Sequence, residues 1–84
     1  MYFGWAQSMN GLNRMPVRLR GSLALSDGRI IPVIVAELSD SGCRVECTEV
    51  LPIGVPFQLE VAGRDRTCVS ARWSTVGKAA LVFI

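Results

Sequence analysis

The sequence contains no histidine. That removes Ser-His-Asp and Cys-His nucleophile systems, together with every zinc site that needs an imidazole ligand. Its three cysteines are too few for a closed four-thiolate zinc site, and an odd number argues against a disulfide framework. No glycine-rich phosphate loop of either common type is present. Lysine is nearly missing as well: Lys78 stands alone beside eight arginines. The longest uncharged stretch, residues 1–13, carries Gln7, Asn10 and Asn13. It falls short of the roughly 20 apolar residues that cross a bilayer, so no membrane insertion is expected. The same stretch lacks the positive start of a secretory signal, and a soluble cytoplasmic domain is the expectation. No enzyme is expected either, because Glu37 and Asp40 fall beside a turn rather than paired for acid–base work.

What is there is an 84-residue chain, half hydrophobic and 19% charged. That is too apolar for a disordered chain and the right size for one small domain. The net charge of +2 is too small to announce a nucleic-acid protein. A barrel for single-stranded nucleic acid would need a basic groove with interleaved aromatics, whereas Phe57, Trp73 and Phe83 fall on apolar faces of the pattern. No DNA or RNA partner is therefore expected. The preference for arginine still matters, since its planar fork of donors suits phosphates, carboxylates and guanine edges.

Residues 1–13 show no clean period and read as a flexible tail. From residue 14 to 84 the chain reads as one β domain. Val17, Leu19, Gly21, Leu23 and Leu25 alternate with polar or small residues, the mark of a half-buried strand. Asp27-Gly28 then signals a hairpin. The run Arg29 to Leu38 is rich in Ile and Val, and Pro32 within it calls for an edge or a bulge. Turns follow at Ser39-Asp40-Ser41-Gly42, at Leu51-Pro52-Ile53-Gly54 and at Gly63-Arg64-Asp65. Between and after them, alternation marks strands at Cys43–Thr48, Val55–Ala62 and Val69–Ser74. Beyond Thr75-Val76-Gly77-Lys78 the chain ends on the apolar run Ala79–Ile84, the sixth strand. Val69, Ala71 and Trp73 are expected to share an inward face. Cys43, Cys47 and Cys68 read as small buried hydrophobes. Six short strands without helical periodicity predict a small six-stranded antiparallel β-barrel, whose closure removes exposed strand edges.

Two segments carry a resemblance. Arg14-Met15-Pro16-Val17-Arg18 spaces two arginines as RxxxR, and Glu37-Leu38-Ser39-Asp40-Ser41-Gly42 follows the form (D/N)xSxxG with Glu in first place. In this order, and with six strands around them, they resemble the paired signatures of the PilZ domain family over residues 14–84. The resemblance implies a receptor for the bacterial second messenger cyclic di-GMP, built on a split β-barrel, with no further cofactor. Carried over by position, Arg14 and Arg18 would meet guanines and phosphates, and Ser39 would offer a hydroxyl beneath the ligand. Gly42 would hold a turn where a side chain would collide. Glu37 would read a guanine edge from one methylene farther out than the family's Asp or Asn. The arginine segment would close over the ligand and alter conformation or the affinity for a downstream protein partner. The alternative is a PilZ-like adaptor that binds no nucleotide and acts through a protein partner. Without the resemblance, the same arginines read as a solvated strand face and Ser39 to Gly42 as an ordinary turn.

Overall fold

The computed structural model describes residues 15–84. The expected tail, residues 1–13, and Arg14 lie outside them. Six strands follow one another: β1 (Met15–Ala24), β2 (Ile30–Leu38), β3 (Gly42–Cys47), β4 (Pro56–Val61), β5 (Thr67–Thr75) and β6 (Gly77–Phe83). Each pairs antiparallel with its neighbours in the order β1-β2-β3-β6-β5-β4, and β1 pairs with β4 to close the barrel. The all-β, six-stranded antiparallel barrel expected from the alternation is the fold observed.

The alternation acts by sending every second side chain inward. Leu23, Val35, Val45, Leu59, Val69 and Leu81 meet in the interior, where Phe57 is the largest buried side chain. Each such residue contributes about 1.5–3 kcal/mol of burial. Leu51 is buried from the crossover between β3 and β4. Two bonds hold that crossover against β5: the Leu51 N–H donates to Ser74 Oγ at 2.8 Å, and the Gly54 N–H to the Ala71 carbonyl at 3.1 Å. The Asp27-Gly28 hairpin forms with Gly28 at φ 92°, a left-handed value that costs glycine nothing. Pro32 lies past the last β2–β3 pair, Ile34 with Glu46. There β2 borders β1 alone, so the missing N–H is not required by a second ladder.

The alternation is interrupted at three bulges. One extra residue enters β1 between Pro16 and Leu19, β2 at Ala36, and β5 at Arg72. A bulge reverses which face the following side chains take. On β2 the inward series Ile31, Val33, Val35 resumes at Leu38, and Glu37 turns outward. On β5 the series Thr67, Val69, Ala71 is followed by an outward Trp73 that remains 37% exposed. Trp73 therefore does not join the core face of Val69 and Ala71, contrary to the strict period-two reading.

Gly42 is the tightest strand contact. A Cβ there would overlap the Leu81 carbonyl oxygen and come within 3.0 Å of Val82 Cα, both backbone atoms of β6. Backbone cannot swing aside as a flexible side chain can. Gly42→Ala should therefore cost about 1–3 kcal/mol, the usual range for overpacking a dense site, read as a lower urea midpoint with an unchanged slope. A midpoint equal to that of the unaltered chain would contradict this account of the glycine.

Candidate functional site

The β2–β3 turn is built by one hydroxyl. Ser39 Oγ accepts from the Ser41 and Gly42 N–H groups at 3.3 and 3.2 Å and donates to the Gly42 carbonyl at 3.2 Å. The Ser39 N–H also donates to that carbonyl at 2.9 Å, and the Phe83 N–H ties the Ser41 carbonyl to β6 at 3.0 Å. Serine suits this work because its short hydroxyl reaches backbone two or three residues on. The turn holds Glu37 on one side and Gly42 on the other at fixed separation.

On the outer wall the pairings Pro16–Glu37, Glu37–Arg44, Arg44–Ala80 and Ala80–Trp73 line up as one row across five strands. Beside this row lies an open groove of about 240 Å³. Its walls include Glu37, Ser39, Ser41, Arg44, Arg72 and Trp73, and Ala80 and Val82 of β6 line it too. Three of the residues singled out in the sequence, Glu37, Ser39 and Gly42, thus meet at one groove. Arg18 is not among its lining residues. The β1 bulge precedes Leu19, and Arg18 Nη1 lies 3.4 Å from Glu46 Oε2 in an exposed pair. Arg14 lies outside the described residues.

Sequence reasoning missed Arg44, Arg72 and Trp73. Arg44 stood in plain alternation as the outward residue of Cys43-Arg44-Val45, but its place opposite Glu37 depends on the β2–β3 register and the bulge at Ala36. Arg72 likewise stood outward between Ala71 and Trp73, whereas Trp73 carried no such signal, because the bulge that exposes it leaves no period-two trace.

The electrostatics of the groove centre on one ion pair. Arg44 Nη1 donates to Glu37 Oε2 at 3.0 Å, with both side chains about one-third exposed (36% and 30%). Such partly hydrated pairs contribute up to about 1 kcal/mol. The inner end of the same guanidinium is less well served. Arg44 Nε is buried with no hydrogen-bond partner among the described residues, and an unmade bond of this kind costs about 1–3 kcal/mol. The site therefore presents a cation with one donor still lacking an acceptor, beside a carboxylate and an exposed indole. Among the described residues there is no cluster of His, Cys, Asp or Glu that would hold a metal.

Cys43 also lines the groove, from beneath. Burial pushes its thiol up to about 12 and raises Cys47 as well. These two are buried as the alternation implied, whereas Cys68 is only half-buried. It sits opposite Gln58 on β4, out of phase with Thr67 and Val69. A thiol reagent at pH 8 should label Cys68 first and leave Cys43 and Cys47 silent until the chain unfolds, because the thiolate is the reactive form. Equal labelling rates for all three thiols of the folded protein would refute this burial pattern. No family model matches the chain, and no curated protein matches it in sequence.

Proposed function

We propose that this barrel is a receptor of PilZ type for cyclic di-GMP, which seats on the groove beside the β2–β3 turn and acts without catalysis. The observation that carries the reading is the arrival of two arginines from other strands at the groove of the motif turn. Glu37, Ser39 and Gly42, the residues of the second motif, meet at one groove together with two arginines, Arg44 and Arg72. The ligand brings two phosphodiester charges and two guanines, whose O6 and N7 atoms accept from arginine. The groove is smaller than the usual 300–1,000 Å³ of a small-molecule site, so it leaves part of a dinucleotide to be covered from elsewhere. Arg14 and Arg18 flank the Pro16 position that pairs with Glu37, and closure of that segment would supply the missing cover. An acceptor carried by the ligand would also answer the unpaired Arg44 Nε. Ligand closure would then shift the population of two arrangements of the arginine segment, and a downstream protein partner would read the difference.

The adaptor reading has one observation in its favour. The Glu37 carboxylate, one methylene longer than Asp, is already engaged by Arg44. Calorimetric titration with cyclic di-GMP, with GTP as control, separates the two. The receptor reading expects saturable, selective heat, with Arg14→Ala or Arg18→Ala weakening binding more than tenfold, about 1.4 kcal/mol, while the thermal melt stays in place. Glu37→Asp should preserve or strengthen the affinity. A folded sample that gives no heat at high micromolar ligand removes the receptor and leaves the adaptor.

A further inference from the structure

A second stretch of the outer wall, away from the groove at the β2–β3 turn, is apolar where a solvated wall would be polar. On β2 the side chains of Ile31, Val33 and Val35 point inward and are buried, so Ile30, Pro32 and Ile34 point outward. Ile30 is 62% exposed, Pro32 is exposed as well, and Ile34 is half-buried. A strand apolar on both sides is the pattern of one covered on both faces, yet among the described residues only the barrel interior covers this one. Pro32 and Ile34 also line a shallow hollow of about 440 Å³ that is bordered by Thr48 and by Val76, itself 81% exposed.

An added strand is not the cover that fits. The Leu25 N–H donates to the Arg29 carbonyl, and hydrogen-bonded pairs alternate along an antiparallel ladder. Ile31 and Val33 therefore turn their backbone groups to β1, while Pro32 turns toward the edge that β3 leaves free and has no N–H to offer there. Charge selects the face that does fit. The pairings of Arg20 with Ile34 and of Ile34 with Glu46 set a cation on one flank of the stripe and a carboxylate on the other. Arg20 forms no ion pair among the described residues, and Glu46 meets Arg18 in an exposed pair at 3.4 Å.

Sheets packed face to face lie about 10 Å apart with their strands nearly aligned. A two-fold axis running along β2 lays β1 of each copy of the chain over β3 of the other. Stripe then meets stripe on the axis, and Arg20 of each copy stands opposite Glu46 of the other. An axis across the strands would instead set Arg20 against Arg20 and Glu46 against Glu46. We propose that the chain forms a two-fold dimer through the stripe of Ile30, Pro32 and Ile34, with Arg20 and Glu46 pairing reciprocally across it. Such a contact needs a patch complementary to itself, and apolar centre and charged flanks both meet that condition. A contact centred on three side chains belongs with the smaller interfaces, so the dimer is expected in the micromolar range. None of these residues lines the groove at the turn, so the dimer is compatible with receptor and adaptor alike.

Sedimentation equilibrium of the full chain, from micromolar to millimolar concentration, tests the dimer. The unaltered chain should pass from monomer to dimer and go no further. Ile30→Glu, a change at an exposed site, should weaken the dimer about tenfold or more and leave the thermal melt in place. Arg20→Glu and Glu46→Arg, each shown to be folded, should each stay monomeric, because each sets like charges opposite one another in both pairs. Mixed in equal amounts, the two should form a one-to-one dimer, since the reversed charges then face each other. A monomer at every concentration overturns the proposal and gives the stripe to another occupant. A dimer that survives Ile30→Glu or either single reversal overturns it too, as does a mixture of the folded reversed chains that stays monomeric.

Discussion

Closing six strands into a barrel obliges each strand to find a neighbour on both sides, and here the seam between β1 and β4 completes the circle. Gly21 to Ala24 pair with Val61 to Gln58 across it. Gly21 makes the approach possible, because a Cβ at that position would come within 2.7 Å of the Glu60 carbonyl oxygen. On the opposite side of the strand order, Gly42 does the same for β3 against β6. With both seams shut, Val35, Leu59 and Val69 are fully enclosed, and every strand has a partner on each side over part of its length. A chain this small buries only about 60% of its unfolded surface. Losing either seam would expose apolar side chains that no other layer covers.

Closure has a second consequence, on the outside. A small barrel bends its strands sharply, and bulges absorb part of that bend. Two of the three bulges fall immediately before Glu37 and Trp73. In unbroken alternation both side chains would point inward, which would bury a carboxylate without an adequate partner and crowd the core with an indole. One extra residue on each strand reverses this. The residues that bend the wall therefore also furnish the groove, and Arg44 and Ala80, which need no bulge, fill the positions between them.

This explains what was legible in the sequence. Strand number, antiparallel class and the turns at Gly28, Gly42, Gly54 and Gly63 follow from period-two runs and turn residues, since both express local stereochemistry. Cys43 and Cys47 were legible as core for the same reason, four residues apart on one face. Trp73 was not, and Cys68 was misread. Trp73 depends on a bulge set by pairing with β6, a non-local choice with no local signature. Cys68 instead alternates with Thr67, Val69 and Ala71, so its outward phase was locally available, masked by the general tendency of cysteine to be buried. Of the candidate site, Glu37, Ser39 and Gly42 were found as a motif, while the ion pair to Arg44 depends on which strand became the neighbour of β2.

The motif residues also differ in how much folding alone explains them. Ser39 spends its hydroxyl on backbone atoms of its own turn, and Gly42 is required by the β6 backbone. Both have sufficient reason to be where they are in the absence of any ligand. A turn of this kind is therefore equally at home in a receptor and in an adaptor, and its presence does not discriminate between them. Arg44 and Trp73 are the opposite case. One keeps a buried donor unpaired among the described residues, and the other exposes a large aromatic surface at the expense of a bulge. Folding gains little from either arrangement, so the weight of a functional reading falls on these two side chains more than on the motif that first drew attention to the groove.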